Sequence, residues 1–445
     1  MEEGAAGTKG SRSGWSGVTR RRGGPVEVDD DSVEARPLNQ IPTKELERIR
    51  IRPTELSRVL GGGLVPGSLT LLGGPPGVGK STLLTMLLAD MAAGGDRVVY
   101  LSAEESGAQV RARAERLGKL DERFEILEEP ALERILPPLY ERPPQLLVVD
   151  SIQTVYCREL DNAPGSVTQI RSAGAVLADY ARVSGCAVIL AGHVTKEGDL
   201  AGPRVLEHLV DTVLYFEPDA GGALRLLRAF KNRFGSTGEL AVLEMSSKGL
   251  LPVDDASALF LHDRRAGEPG SAVSCVYTGT RPILVEVQAL LADSSYATPA
   301  RVVAGVDNKR IALLNAILQQ HVRLNTAGQD VYVKVAGGLR VQDPGADLAF
   351  VAAMASSHTQ RPLPGDLLLL GEVGLTGDLR PVSQLLVRLN EAAAHGFRRA
   401  VVGSSERGVT EIPKGFELES ASSLREALRA AFRGTKKKEA QGEAL

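Results

Sequence analysis

The chain has 445 residues, with 52 Lys and Arg against 55 Asp and Glu and a formal net charge of −3. That length predicts two or three domains, and the near balance of charge excludes a globally basic nucleic-acid coat, so any nucleic-acid contact has to come from local basic loops. The three cysteines, Cys157, Cys186 and Cys275, stand apart with no C-x-x-C spacing, which argues against a disulfide framework and a cysteine-built zinc site. No apolar run reaches the length of a membrane span and the N-terminus carries no signal-peptide core, so the expectation is a soluble, cytoplasmic protein with no membrane partner.

Residues 1–45 are rich in Gly, Ser, Arg and acidic side chains, with Arg20, Arg21 and Arg22 followed by Asp29, Asp30 and Asp31. Such a stretch buries too little apolar surface to offset its ordering entropy and is expected to be disordered. A first domain is expected over 46–252. It opens with a short helix over 55–60, closed by Gly61, Gly62 and Gly63, and a strand over 68–72. Then comes Gly73-Gly74-Pro75-Pro76-Gly77-Val78-Gly79-Lys80-Ser81-Thr82, leading into the apolar run 83–89. From Gly74 to Ser81 this is G-x-x-x-x-G-K-[ST] in a strand-to-helix setting, the context that a phosphate-cradling loop requires. Gly77 and Gly79 let backbone N–H groups turn inward, the helix N-terminus adds partial positive charge, Lys80 faces β- and γ-phosphate oxygens, and Ser81 is placed to ligate Mg²⁺. ATP and Mg²⁺ are therefore the expected cofactors.

Beyond the loop helix, a strand over 97–102 ends beside Glu104 and Glu105, followed by a helix over 108–117, a strand over 124–127 and a helix over 132–140. The apolar strand 145–150 finishes on Asp150, the candidate to hold the Mg²⁺ shell beside Ser81. A helix over 167–183, a strand over 187–191 running on to His193, and strands over 211–216, 223–229 and 240–245 complete the pattern. Alternation of this kind predicts a doubly wound parallel sheet with ligands at the carboxyl ends of the strands, where Glu104, Asp150 and His193 lie. Residues 251–258 read as a linker. A second α/β domain without a phosphate loop is expected over 259–434, with strands at 283–291, 330–336, 367–370 and 400–402 and helices at 309–323, 347–356, 383–395 and 423–432. The Lys-rich tail 435–445 is expected to fray.

Three stretches carry a resemblance: Lys231-Asn232-Arg233-Phe234-Gly235, His193-Val194-Thr195-Lys196-Glu197-Gly198 and Tyr100-Leu101-Ser102-Ala103-Glu104-Glu105-Ser106. With Asp150-Ser151-Ile152-Gln153-Thr154, the run from Gly165 to Arg171 and the run from Gly371 to Gly377, they resemble the bacterial RadA (Sms) DNA repair and recombination ATPases over about residues 45–433. The fold implied is α/β, a RecA-type P-loop ATPase core followed by a domain similar to that of Lon protease. The resemblance implies that Glu104 polarises the attacking water, that His193 senses the γ-phosphate, and that Lys231 and Arg233 act in trans on a neighbouring subunit's nucleotide, the role of an arginine finger. It therefore implies a homo-oligomeric ring, a hexamer, acting on single-stranded and branched DNA as a helicase that migrates recombination branches, with a recombinase or other replication and repair proteins as partners.

DNA-facing loops follow Asp150 and His193 in that family, making Arg171, Lys196 and Arg204 the phosphate-contact candidates, although each also reads as ordinary surface charge. One Trp in the whole chain argues against an aromatic platform for bases. Two departures stand out. Family members usually carry an N-terminal four-cysteine zinc motif, whereas residues 1–45 hold no cysteine, so no zinc is expected in this chain. Where Lon proteases place their nucleophilic serine this chain reads Asp343-Pro344-Gly345-Ala346-Asp347-Leu348, and their catalytic lysine falls at about Leu386, so the second domain is expected to be proteolytically inactive. The rival readings are a non-translocating ATP switch or phosphotransferase and, further off, an ATP-dependent peptidase.

Overall fold

The computed structural model describes residues 47–435 apart from 53, 119, 194–202, 220–221, 223, 296–297 and 405–411, together with 37 and 39. The disorder expected of 1–45 and the fraying expected of the tail fall almost wholly outside these residues. Among the described residues no helix is long and apolar enough to cross a membrane.

The first unit begins with α1 (Thr54–Val59), β1 (Leu69–Gly74), α2 (Lys80–Ala93), β2 (Val98–Ser102) and α3 (Gly107–Arg116). It continues through β3 (Phe124–Leu127), α4 (Leu132–Glu141), β4 (Leu146–Asp150), α5 (Val167–Ser184) and β5 (Ala187–His193). It closes with α6 (Pro203–Leu206), β6 (Thr212–Pro218), β7 (Leu224–Asn232), β8 (Leu240–Ser246) and β9 (Gly249–Pro252). These strands form one sheet in the order β3-β2-β4-β5-β1-β6-β7-β8-β9. β1, β2, β4 and β5 are buried because helices cover both faces, whereas β3, at the sheet edge, is half-buried and carries Glu125. On one face Leu72, Tyr100 and Val148 pack under Leu83, Leu84 and Leu87 of α2. On the other, Leu71, Leu101 and Val149 meet Ile135 of α4 and Leu177 of α5.

The expectation of a parallel sheet holds only from β3 to β6. Strands β6 to β9 pair antiparallel. The reason is in the connections, which carry no helix between Thr212 and Pro252 and so are too short for a parallel crossover.

The second unit comprises α7 (Ala256–Leu261), β10 (Ser271–Thr278), β11 (Arg281–Asp293), β12 (Arg301–Ala304), α8 (Asn308–Ile317), β13 (Gln329–Val335) and α9 (Asp347–Thr359). After them come β14 (Leu367–Leu370), β15 (Glu372–Val373), β16 (Leu379–Arg380), α10 (Leu385–Ala394), β17 (Arg399–Gly403), β18 (Glu417–Ala421) and α11 (Leu424–Ala431). Its main sheet runs β12-β13-β11-β10-β14-β17-β18. The Ala-rich α9 is buried from Asp347 to Ser357 and forms the centre of this core. The single helix expected over 309–323 is instead α8 followed by a π-helical turn, Leu318–Val322, that ends at Arg323 with φ 64°.

The stretch read as a linker, 251–258, contains the end of β9 and the start of α7, leaving three residues between them. The two cores are continuous there. Leu224, Leu226, Leu240 and Val242 of β7 and β8 pack with Phe260, Ala272 and Val276 of the second unit. Buried Glu239 adds a polar clamp, accepting from Arg58 Nη1 of α1 at 2.8 Å and from the Thr280 N–H of the β10–β11 turn at 2.8 Å. Gly279, with φ 62°, lies so close to Glu239 that a Cβ there would fall 2.5 Å from its carboxyl carbon. All three cysteines are buried. Burial pushes the Cys157 thiol up to about 11, the Cys186 thiol up to about 12, and the Cys275 thiol further still.

Two ionic contacts make the second unit testable. Arg388 is buried, donates to Asp343 Oδ2 at 2.6 Å and stacks on Tyr277 with its guanidinium carbon 4.9 Å from the ring centre. Removing one partner strands a buried charge, so Asp343→Ala is expected to cost about 3–5 kcal/mol in urea unfolding. His395 at the end of α10 donates from Nδ1 to the Glu391 carbonyl at 2.8 Å and from Nε2 to Asp255 at 3.0 Å. Burial disfavours its imidazolium, but the bonds to Glu391 and Asp255 outweigh that and hold its pKa above the usual 6.5. A pKa raised by folding stabilises the fold below the unfolded value and loses that contribution as pH rises through the folded value. His395→Ala is therefore expected to melt below the parent protein at about pH 6, with the gap closing by about pH 9 in calorimetry.

Candidate nucleotide site

Strand order brings the site together. β1 pairs in parallel with β5, setting Gly74 opposite His193, and β2 pairs with β4, setting Ser102 opposite Asp150. The carboxyl ends of four strands thus face one hollow at the N-terminus of the 14-residue α2. The loop between β1 and α2 needs its glycines: Gly77 has φ 73° and Gly79 φ 106°. A Cβ on Gly74 would lie 2.3 Å from the Phe216 carbonyl oxygen, whereas one on Gly77 would meet nothing within 4 Å. Gly77 therefore borders open space, and Gly79 caps α2 with no side-chain hydrogen bond. An uncapped helix N-terminus beside an open glycine turn is shaped for an anion.

Lys80 lies buried under this loop, its Nζ donating to the carbonyls of Gly74 at 2.9 Å and Pro75 at 3.2 Å. Burial lowers its pKa, while the charges of Asp150 and Glu104 oppose the fall. Ser81 Oγ donates to Asp150 Oδ2 at 2.7 Å, and Thr82 occupies the next position in the same helical turn. A hydroxyl and a carboxylate at this separation offer the hard oxygen ligands that Mg²⁺ takes. ATP fits the loop for the same reason, since its phosphates match the open N–H end of α2 and the Lys80 ammonium. Bound nucleotide would supply the γ-phosphoryl group; the chain supplies the charge and the carboxylates around it.

Glu104 follows β2 and is exposed, and its Oε1 accepts from the Ser151 hydroxyl. Three partners were not foreseen from sequence. Tyr100, fully buried in β2, donates its hydroxyl to Asp150 Oδ2 at 2.5 Å. Burial and the nearby Asp150 charge push that phenol's pKa up, so it stays a donor. Ser151 steers Glu104, and Arg113 of α3 donates to the neighbouring Glu105 at 2.5 Å. A lone tyrosine in an otherwise aliphatic strand, beside a strand ending in Asp, was the available signal for the first.

Lys231 and Arg233 are absent from this hollow. Lys231 is the penultimate residue of β7 and donates from Nζ to the carbonyls of Glu207 and Val210, both at 2.7 Å; Arg233, in the following turn, donates to Asp211 Oδ1 at 3.0 Å. Burial and the Arg233 charge lower the Lys231 pKa. The two residues do not share an extended segment, because the strand ends at Asn232 and its pairing with β6 shifts at Val213/Leu214. Of the phosphate-contact candidates, Arg171 is exposed on α5, Arg204 belongs to α6, and Lys196 lies outside the described residues.

An AAA domain family model matches residues 34–199, which include the phosphate loop, Glu104, Asp150 and His193. The DNA repair protein RadA of Pseudomonas aeruginosa is 45% identical over 432 residues, covering 96% of this chain and 91% of its own length. RadA of Bacillus subtilis strain 168 is 45% identical over 398 residues, 89% of this chain and 87% of its own. The chain belongs to the bacterial RadA family. RadA of Escherichia coli K12, at 44% identity over 88% of this chain and 85% of its own, agrees with that membership. A KaiC-like protein from Pyrococcus horikoshii OT3 aligns with 47% of this chain and 99% of its own at 19% identity and a TM-score of 0.41. On the family model and the RadA relatives, the first unit is the P-loop ATPase domain of a RadA family member.

Outer partners of a metal-binding carboxylate commonly change affinity by 10–100-fold. Tyr100→Phe leaves Asp150 Oδ2 with Ser81 as its remaining side-chain donor, and is expected to raise the Mg²⁺ concentration for half-maximal ATP turnover by about tenfold.

Proposed function

We propose that this RadA family member is a DNA-stimulated, Mg²⁺-dependent ATPase of homologous recombination and repair. It works as a ring, a hexamer, that moves on single-stranded and branched DNA and promotes branch migration. In this reading Gly74, Gly77, Gly79, Lys80, Ser81 and Thr82 hold the nucleotide, Ser81 and Asp150 the metal, and Glu104 takes the proton of the attacking water. His193 reports the state of the γ-phosphate from beside Gly74, and Arg171, Lys196 and Arg204 meet DNA phosphates.

The observation that carries the ring is the position of Lys231 and Arg233. Strand β1 begins beside Asp211, the partner of Arg233, through the bond from the Leu69 N–H to Asp211 Oδ2 at 3.0 Å, and runs to Gly74 at the phosphate loop. Five strand rises separate those ends by about 16 Å. The pair therefore sits at the far end of the sheet from its own nucleotide site, where it serves only a second subunit's phosphates. A near-neutral subunit then still lines a channel with basic loops.

Peptidase chemistry finds no support in the second unit. Ala346 is fully buried between the ion pairs of Asp343 with Arg388 and of Asp347 with Arg310, and Leu386 is a partly exposed alkyl chain. A scaffold that braces the ring fits these residues better.

Glu104→Gln is expected to keep ATP binding while turnover in the presence of single-stranded DNA falls about a hundredfold or more, with loss of unwinding of forked DNA. Parental turnover in this variant, or a parent protein indifferent to DNA, would contradict the assignment.

A further inference from the structure

The turn between α6 and β6, residues 207–211, holds both basic side chains by different means. The Lys231 ammonium bridges two of its backbone carbonyls, those of Glu207 and Val210, and is largely committed within its own subunit. Arg233 is held by Asp211 alone in this turn, through its backbone N–H to the Asp211 carbonyl at 3.1 Å and through Nη1 to Oδ1 at 3.0 Å. Its side chain remains 56% exposed, so the rest of the guanidinium fork faces outward. Asp211 in turn is fixed on β1: its Oδ2 accepts the Leu69 N–H at 3.0 Å and its own N–H donates to the Leu69 carbonyl at 2.9 Å. An exposed ion pair of this kind adds little to stability. Its effect is to remove rotamer freedom from a long cation that otherwise has to be ordered during each reaction, which is preorganisation.

We propose that Asp211 is a positioning residue for Arg233, aiming the guanidinium at the nucleotide of a neighbouring copy of this chain; the inference rests on the trans role proposed above. The two carboxylate oxygens have separate duties, one for the Leu69 N–H and one for Arg233. Asn supplies a single oxygen. Because the Leu69 N–H is part of a buried strand, that oxygen stays with Leu69, and the amide NH₂ turns toward Arg233 as donor against donor. Asp211→Asn thus releases Arg233 while keeping the backbone anchor.

The expected result is a DNA-stimulated kcat lower by about tenfold with the KM for ATP unchanged, as for an interaction made in the transition state. The deciding measurement is complementation. Asp211→Asn has an intact nucleotide site and a misaimed Arg233; Lys80→Ala has a disabled site and an intact Arg233. When the two are co-expressed in equal amounts, about half of the Asp211→Asn sites gain a competent neighbour, and turnover per Asp211→Asn subunit is expected to rise to about half the parental value. Arg233→Ala co-expressed with Lys80→Ala runs in parallel. If Arg233→Ala is rescued and Asp211→Asn is either fully active alone or defective without rescue, Asp211 is not the positioning residue and the trans role stands. If Arg233→Ala is itself not rescued, the trans role fails and the inference falls with it.

Discussion

The hydrogen bond from Ser81 to Asp150 is the contact on which the geometry of the first unit turns. It ties the loop after β1 to the end of β4, across β5, which lies between them. To make it, α2 has to lie back over the sheet, which its leucines achieve by packing on Leu72, Tyr100 and Val148. Tyr100 then serves twice, as core and as the second donor to the same Asp150 oxygen. Apolar packing thereby fixes where a carboxylate and a hydroxyl meet, and the charge chemistry of the site inherits the rigidity of the sheet.

The antiparallel half of the sheet has a different duty. β7 carries Lys231 near its end, and its two faces belong to different cores: Leu227 and Ala229 pack under α1 and α2, while Leu224 and Leu226 pack against the second unit. Glu239 ties α1 to the second unit by accepting from Arg58 and from Thr280. The strand that presents the basic pair is therefore gripped from both sides. Under the trans role proposed for that pair, a second unit without a phosphate loop bears on the nucleotide chemistry through this grip.

Much of this was legible in the sequence because buried parallel strands read as unbroken apolar runs that end where chemistry begins. The runs ending near Glu104, Asp150 and His193 are of that kind, and each is a strand with those bounds to within two residues. Apolar content alone does not give strand direction; the cues to antiparallel pairing were the missing helices between β6, β7 and β8 and the Arg225, Arg228 and Lys231 that interrupt β7. β10 escaped because Ser271 and Ser274 look like loop residues; in the fold their hydroxyls bond Glu286 and the Leu369 carbonyl, which makes them acceptable in a core. Tyr100 and Ser151 were hidden for the opposite reason. Each looks ordinary where it stands, and each acquires its task from a strand distant in sequence.

The buried thiols leave one practical consequence. With the Cys157 thiol at about 11, roughly one molecule in ten thousand carries the thiolate at neutral pH, and Cys186 and Cys275 are more fully protonated still. Nucleophilic sulfur is thus almost absent from the native surface, which makes the chain a poor target for peroxide and a quiet background for a single engineered cysteine carrying a fluorophore.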